Sequence, residues 1–296
     1  MSWKIGAVTF PVPPQKIIKK GKAVLKKINV GVEAPWIYGM GADAKQLSLD
    51  GEMFDTSRYG IVHKTGIFSD YIRRLEKYTE KDMAICQPFL NIAPTGTWRS
   101  GAGITTFKDT GDKYVKNNES LYVVFGSDNK SIYYEYDEAL DFSSHNIVGI
   151  WIYGSGSDKL SLTFYNEIYG SATNGYRQWV ESSGDAWVRR LFVMSSVDGD
   201  TIFQNVGTPT GWDSIRTIVI EPSGDYNPGE QGYYLDVGVI GLGWEVSSPQ
   251  NYHDGVWMVD TFQYEEDKAD TEESFRYRMQ LIDNDEMFGK SSKVVS

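Results

Sequence analysis

Residues 233–246 read YYLDVGVIGLGWEV and contain three glycines. The stretch decides the fold class, because such glycines belong either to the phosphate-binding loop of a nucleotide-binding α/β fold or to a strand of an all-β fold. In a dinucleotide-binding fingerprint, glycines in the order G-x-G-x-x-G follow a strand and open a helix whose N-terminus binds pyrophosphate. Here Gly238, Gly241 and Gly243 give the order G-x-x-G-x-G, and the next residues, including Pro249, have no helical period. The stretch therefore predicts a closing β-strand in which glycine permits close packing or a bulge.

The composition and length favour an all-β chain. The 296 residues include 30 glycines and 14% aromatic residues, and leucine-rich helical stretches are nearly absent. This length suffices for one large domain or two ordinary ones. Residues 97–247 contain eight short aromatic-rich segments between Gly, Ser, Asn and Asp turns: SLYVVFG, SIYYEYD, NIVGIWIYG, KLSLTFYN, YRQWVES, AWVRRLFVM, SIRTIVIEP and YYLDVGVIG. This spacing predicts a β-sandwich or jelly roll.

The flanking segments predict further strands and one helix. Strands are expected at KIGAVTFPV and KQLSLDGEMF, and KIIKKGKAVLKKINVGV predicts two strands that turn near Gly21. In SDYIRRLEKYTEKD, Ser69 suits a helix N-cap, and Phe68, Ile72 and Leu75 fall on one face. The C-terminal strands GVWMVDTFQY and SFRYRMQLID lack enough partners to fold alone. They are expected to pair with strands from residues 1–95, so that residues 1–96 and 248–296 form one discontinuous domain and residues 97–247 an insertion.

Charge and reactive side chains exclude several functions. The formal net charge of −11 opposes general binding to nucleic acid. A single cysteine, Cys86, excludes an intramolecular disulfide and a cysteine-based zinc site. His63, His145 and His253 stand in expected turns without a hydrolase motif, which predicts surface histidines and no catalytic site. No apolar run has the length of a membrane span or signal peptide, so we expect a soluble protein of a reducing compartment.

The central segment resembles the carbohydrate-binding-module and galactose-binding-like jelly rolls. The resemblance rests on NNESLYVVFG, ALDFSSHNIVGIWIYG, DKLSLTFYN, AWVRRLFV, GWDSIRTIVIEPSG and the closing GYYLDVGVI. It implies a β jelly roll that binds glycans, with Asp236 as a ligand of a structural calcium ion. The family often has a second acidic residue beside that position, where this sequence has Val237.

The flanks are similar to the distal tail and tail-tube-like proteins of tailed viruses. The resemblance rests on the proline-ended first strand, KQLSLDGEMF, the helix before MAICQPF, and the two C-terminal strands. It implies a tail-ring β-sandwich with one helix, which carries the inserted jelly roll and assembles into hexameric rings. The implied function is that of a structural virion protein of a tail tip or baseplate ring, made in the host cytoplasm, whose partners are other tail proteins and host glycans. The alternative is a soluble, non-catalytic carbohydrate-binding protein.

Aromatic residues are the sugar-binding candidates. Sugars present flat C–H faces that stack on Trp and Tyr, while their hydroxyl groups need polar partners. The segment NGYRQWVES supplies such a set, and Trp151 and Tyr153 share one face of another strand. A place in the sandwich core is the alternative for these aromatic rings. The candidates are Tyr176, Arg177, Gln178, Trp179, Trp151 and Tyr153.

Two oppositely charged segments suggest how subunits meet. Six lysines lie between residues 16 and 27, and the segment EEDKADTEE joins the two C-terminal strands. The lysines would form a strip that binds nucleic acid, a solvated hairpin, or a contact with an acidic neighbour. In a ring, the basic hairpin of one subunit would meet the acidic hairpin of the next. The interface candidates are Lys19, Lys20, Lys22, Glu265, Glu266 and Glu272.

Overall fold

The protein is nearly all β, with one helix among the described residues. The computed structural model describes residues 3–6, 8–10, 13–20, 23–28, 36–42, 45–54, 67–79, 87–90, 98–101, 104–115, 118–126, 130–154, 159–182, 184, 186–194, 203–222, 232–249, 254–267 and 274–284. Two compact units divide the chain: Met1–Lys81 with Gly243–Asp285, here unit 1, and Asp82–Leu242 with Glu286–Ser296, here unit 2. In the part of the chain that the structure describes, no helix has the length and apolarity needed to cross a membrane.

Unit 1 is built from both ends of the chain. Its elements are β1 (Lys4–Ile5), β2 (Val8–Thr9), β3 (Lys16–Lys20), β4 (Ala23–Ile28), β5 (Trp36–Ala42), β6 (Gln46–Phe54), α1 (Ile67–Thr79), β19 (Trp244–Ser247), β20 (Gly255–Asp267) and β21 (Ser274–Asp283). Seven of the strands form one antiparallel sheet in the order β2-β1-β19-β20-β21-β6-β3, and β4 pairs with β5. The C-terminal strands thus pair with N-terminal ones, β19 with β1 and β21 with β6.

The helix follows the predicted pattern with a shifted start. Ile72 and Leu75 are buried, as is Tyr78 one turn later, and α1 packs against β2 and β20. Because α1 begins at Ile67, Ser69 lies inside the first turn and does not cap the helix. The prediction of a helix start at Ser69 is therefore wrong by two residues.

The predicted basic hairpin is also wrong. Strand β3 pairs with β6 in register Ile17↔Leu49, and β4 pairs with β5, so the two lysine-bearing strands do not pair with each other at Gly21. The nine residues of β6 present backbone groups on both edges, and β21 satisfies only one edge. Strand β3 supplies partners for the other edge along Gln46–Asp50.

Unit 2 is a jelly roll of two antiparallel sheets. Its strands are β7 (Gln87–Leu90), β8 (Arg99–Ser100), β9 (Ile104–Thr110), β10 (Ser120–Phe125), β11 (Ile132–Leu140), β12 (Ile147–Gly154), β13 (Lys159–Tyr165), β14 (Gly175–Glu181), β15 (Val188–Val193), β16 (Gln204–Val206), β17 (Ile215–Pro222) and β18 (Gly232–Gly241). The front sheet has the order β16-β14-β13-β17-β11-β8, and the back sheet has the order β15-β12-β18-β10-β9 with β7 also paired to β18. All eight predicted segments of this part form strands, which confirms the jelly-roll prediction.

The core of unit 2 lies between the two sheets because side chains alternate along each strand. Leu162 and Phe164 of β13 and Ile218 of β17 face Val123 of β10 and Ile150 of β12, all almost fully buried. Burying such a side chain contributes about 1.5–3 kcal/mol to stability. These contacts fix which residues of the front sheet face away from the core.

The glycine-rich stretch forms strands, as predicted: residues 233–241 belong to β18, and Gly243 lies between β18 and β19. Strand β18 pairs with β7 with a register shift between Gly238 and Val239. A Cβ atom at Gly238 would clash with the ring of Phe89, which belongs to the core. Glycine at this position therefore allows β7 to approach β18.

We predict that residues 82–242 fold alone with one cooperative transition, whereas residues 97–242 are much less stable. The shorter fragment lacks Phe89 and Leu90, which are 5% and 1% exposed, and the hydrogen bond of 2.9 Å from Trp98 Nε1 to the Phe89 carbonyl. Two lost core side chains correspond to about 3–6 kcal/mol. Urea unfolding followed by circular dichroism measures the difference. Equal midpoints for the two fragments would contradict the assignment of β7 to this core.

Candidate functional site

The six predicted sugar-binding residues do not form one cluster. Tyr176, Arg177, Gln178 and Trp179 lie on β14 of the front sheet, and Trp151 and Tyr153 lie on β12 of the back sheet. On β14 the side chains also alternate, so Arg177 and Trp179 face away from the core whereas Tyr176 faces it. The neighbours of each residue in the sheet decide whether its side chain can contact a ligand.

Tyr176 belongs to the core, which was the alternative for this residue. Its ring stacks on Trp212 with a centroid distance of 4.2 Å and an interplanar angle of 11°. Burial, and then the charge of Asp213, raise the pKa of the Tyr176 phenol. Gln178 accepts a hydrogen bond from the Trp179 backbone amide. These two side chains therefore stabilise the sheet rather than a shared binding surface.

The outward face of the front sheet has a floor of small, buried side chains. On this face Thr163 of β13 is aligned with Val219 of β17, Ser161 with Glu221, and Tyr165 with Thr217. Four of these side chains are almost fully buried: the exposed fractions of Ser161, Thr163, Thr217 and Val219 are 1, 0, 0 and 4%. Residues on the outward face of a sheet lose contact with solvent only when larger groups overlie or flank them. The four side chains therefore form the bottom of a recess, here called the groove.

One wall of the groove comes from β14. Arg177 is aligned with Thr163, and Trp179 with Ser161. The Arg177 guanidinium reaches along the floor: it donates to Thr163 Oγ1 at 3.3 Å and to Glu221 Oε1 at 3.3 Å. Its central carbon also lies 5.9 Å from the centroid of the Trp179 ring, within the range of a cation–π interaction. These contacts hold an aromatic ring and a charged donor side by side.

The Arg177–Glu221 pair remains accessible to a ligand. The two side chains are 28% and 35% exposed, and Glu221 also accepts a hydrogen bond of 3.2 Å from Ser161 Oγ. The Tyr165 hydroxyl lies 3.4 Å from Arg177 Nη2. The groove therefore presents both hydrogen-bond donors and acceptors from side chains whose positions are already fixed.

The opposite wall is a pair of stacked tyrosines. Tyr133 of β11 is aligned with Val219, and the ring of Tyr169, from the β13–β14 connection, lies parallel to it at a centroid distance of 3.7 Å and an angle of 2°. Tyr169 is tied at two points: its amide donates to Glu135 Oε2 at 2.8 Å, and its hydroxyl lies 2.7 Å from Ser131 Oγ. From β14 to β11 the groove spans three strand spacings, or about 14 Å.

Trp151 and Tyr153 share one face of β12, as predicted, but that face is the outward side of the back sheet. Tyr153 aligns with Tyr234, and Lys113 Nζ lies 4.2 Å from the centroid of the Tyr153 ring. Tyr153 retains only 8% exposure. On this outward face the ring of Tyr153 already contacts Tyr234 of the neighbouring strand and Lys113. Such contacts stabilise a sheet.

The Asp236 carboxylate stabilises the connection between β9 and β10 of unit 2. Strand β18 has a bulge here, with Trp151 aligned to Asp236 and Ile150 to Gly238, and Val237 has φ = 47°. The buried Asp236 carboxylate accepts a hydrogen bond of 2.7 Å from the Val115 amide, between β9 and β10. Calcium requires six to eight oxygen ligands. Among the described residues no group of three or more acidic, histidine or cysteine side chains could hold a metal ion. The role of Asp236 as a calcium ligand stays a prediction.

The one described histidine is not on the surface. His145 is 4% exposed, and its ring meets the ring of Phe142 edge-on at 5.5 Å. The prediction of a surface residue is wrong for His145 because the turn after β11 folds against the end of the core. His63 and His253 lie outside the described residues.

The proposed interface residues are only partly described. Lys19 and Lys20 are exposed on β3, which is an edge strand of the unit 1 sheet, and Glu265 is exposed near the end of β20. Glu266 lies on β20, opposite Phe275 of β21. Lys22 and Glu272 lie outside the described residues.

No protein-family model matches the chain, and no curated protein matches its sequence. Among solved structures, it is similar to a family 11 carbohydrate-binding module from Clostridium thermocellum in complex with a β-1,3-1,4-mixed-linked tetrasaccharide, with 12% identity and a TM-score of 0.41 over 52% of this chain and 94% of the module. It is similar to a family 30 carbohydrate-binding module of a cellulosomal cellulase of the same organism, with 11% identity and a TM-score of 0.38 over 53% and 97%. An agarase is matched over 55% of this chain and 25% of the agarase, with 8% identity and a TM-score of 0.41.

We predict that replacing Asp236 with Ala destabilises unit 2 by about 1–3 kcal/mol, because the Val115 amide loses its acceptor in a buried place. Asp236→Asn keeps one acceptor oxygen and is expected to cost less. The measurement is thermal unfolding of the wild type and both variants, with and without a chelator. Equal melting temperatures of the wild type with and without chelator are expected, and a drop with chelator would support the calcium hypothesis.

Proposed function

We propose that the protein binds a carbohydrate chain, without cleaving it, in the groove of the front sheet. The observation that carries the proposal is the combination of a polar, recessed floor with aromatic side chains on both walls. A pyranose ring would stack its C–H face on Trp179 or on the Tyr133–Tyr169 pair, and its hydroxyl groups would reach Arg177 and Glu221. Binding sites of this kind combine apolar surface with a few well-placed polar groups.

The charges of the groove favour an uncharged sugar. Arg177 is paired with Glu221, and Glu135 adds a second carboxylate at the tyrosine wall. Arg99 of β8, which is aligned with Tyr133, adds a second cation, so the charges balance and give no net attraction for a uronate or a sulfated sugar. Neutral hydroxyl groups can both donate to the carboxylates and accept from the guanidinium.

We predict that Trp179→Ala weakens binding of a neutral glycan at least about tenfold, or about 1.4 kcal/mol. The measurement is affinity electrophoresis in gels that contain mixed-linked β-glucan, xylan, agarose or a polyuronate, followed by calorimetry with oligosaccharides of any glycan that retards the protein. Trp187→Ala is the matched control, because Trp187 packs against Tyr153 at the back sheet. Retardation that survives Trp179→Ala but is lost in Trp187→Ala would move the site to the back sheet, and retardation by the polyuronate alone would contradict the charge argument.

We propose as a second candidate function that unit 1 assembles into a ring, as a structural subunit of a viral tail tip in the virion. Two features support assembly. Strand β3 carries exposed lysines at one edge of the sheet. Strand β20 pairs with β19 only through Gly255–Trp257, so beyond Trp257 that edge has no strand partner among the described residues, and it ends in acidic side chains. An open edge pairs readily with a strand of another chain. Opposite charges would orient such pairing more than they would strengthen it.

We predict that the Lys19→Glu, Lys20→Glu double variant does not assemble, whereas its monomer remains folded. Assembly of the wild type should weaken as salt shortens the Debye length from about 8 Å at 0.15 M to about 3 Å at 1 M. Negative-stain images and light scattering measure ring formation, and adding Glu265→Lys and Glu266→Lys should restore it. Normal assembly of the double variant would mean that these lysines are only a solvated surface.

A further inference from the structure

The β13–β14 connection carries one wall of the groove although it is not part of the sheet. Residues 166–174, here called the wall loop, include Tyr169, whose ring lies flat on Tyr133. A tyrosine on a free loop would lose its rotamer and backbone freedom when a ligand binds, and this lost entropy would weaken binding. The value of this wall for binding therefore depends on what holds the loop.

The carboxylate of Glu167 is the centre of the contacts that close the wall loop on itself. Its Oε2 atom accepts hydrogen bonds from the backbone amides of Thr173 at 3.1 Å and Asn174 at 3.0 Å, and its Oε1 atom accepts one from Asn174 Nδ2. Desolvation of the carboxylate raises its pKa, but the hydrogen bonds from Asn174 and Thr173 outweigh this effect, so the pKa of Glu167 lies below its ordinary value. The charged form is therefore the one that the loop binds.

The same loop is tied to the groove floor and to a second loop. Thr217 Oγ1, on the floor, donates to the Glu167 carbonyl at 2.7 Å. Asn166 Nδ2 donates to the carbonyls of Gly211 and Ser214, both at 2.9 Å, and Asn174 Oδ1 accepts from the Thr208 amide at 2.8 Å. The Glu167 carboxylate thus joins the two ends of the wall loop, and Glu135 and Ser131 hold Tyr169 between those ends.

We propose that Glu167 is a positioning residue of the groove. Its carboxylate holds the wall loop in the conformation that lays Tyr169 on Tyr133, so that the second aromatic wall is complete before a ligand binds. This inference rests on the proposed carbohydrate binding for its effect on affinity. The placement of Tyr169 on Tyr133 does not rest on that function, because it is a property of the ligand-free protein. Glu167 has no contact with the sugar in this arrangement and acts through Tyr169.

The first test needs no ligand. Tyrosine-labelled full-length protein is measured by NMR, with the Tyr133 and Tyr169 signals assigned from their Phe variants. In the wild type, stacking should shift the ring protons of both residues upfield. Glu167→Ala should reduce this shift, because Glu135 and Ser131 still hold Tyr169, and Glu167→Gln, which keeps one acceptor oxygen, should reduce it less. The matched control is Glu138→Gln, which alters an exposed carboxylate of β11. An unchanged shift in Glu167→Ala would overturn the proposal.

The second test is a double-mutant cycle with the glycan that binds the wild type most tightly, measured by calorimetry. Glu167→Ala and Tyr169→Ala should each weaken binding by about tenfold, and the double variant should bind no more weakly than Tyr169→Ala alone, because one residue acts through the other. The combination of Glu167→Ala with Trp179→Ala should be additive. An additive cycle between Glu167 and Tyr169 would overturn the positioning role. If no glycan binds the wild type, the proposed function fails, and the NMR shift still decides whether Glu167 places Tyr169.

Discussion

The opposite chemistry of the two faces of β13 and β17 is the constraint on which the rest of unit 2 depends. Along β13, Leu160, Leu162 and Phe164 enter the core, and the residues between them, Ser161 and Thr163, line the groove. Since the side-chain period of a strand is two, a slip of one residue would place hydroxyl groups in the core and leucines in the groove. The apolar face thus fixes the register, and the register aligns Ser161 with Trp179 and Thr163 with Arg177. The composition of the groove is a consequence of the packing on the other side.

The groove obtains its rigidity from hydrogen bonds among its own side chains. Arg177 is held by Thr163 and Glu221, and Tyr169 by Glu135 and Ser131. Charged and hydroxyl groups held in this way lose little conformational freedom on binding, and the cost of ordering them is met by folding. For the proposed sugar ligand this arrangement also has a disadvantage, because each hydroxyl group of the sugar would compete with an existing hydrogen bond. Specific recognition is therefore expected to depend on hydroxyl groups that add to these bonds rather than replace them.

The sequence predicted the strands of unit 2 well because their aromatic and β-branched runs are separated by clear turn residues. It predicted the groove poorly. Arg177 and Trp179 were identified from their residue types, but Ser161, Thr163 and Thr217 are common residues whose role appears only when four strands lie side by side. Tyr169 could not be placed, since it reaches the sheet through a loop whose hydrogen bonds, made by Glu167, Asn166 and Asn174, join residues far apart in the sequence. A useful signal was present in KLSLTFY and IRTIVIEP, where small polar residues alternate with apolar ones.

The closing strand also explains how a chain can carry a jelly roll within another unit. Strand β7 enters unit 2 and β18 leaves it, and the two are paired, with Gln87 aligned to Ile240 and Leu90 to Gly238. The entry and exit of unit 2 are therefore adjacent, which is the geometry that lets a domain be inserted at one point of another chain. Glycine at position 238 makes this pairing possible because no Cβ atom stands between β18 and the Phe89 ring. The three glycines of residues 233–246 thus lie where the chain leaves unit 2 and continues into unit 1. Gly238, which allows β7 to pair with β18, also brings the first and last strands of unit 2 together.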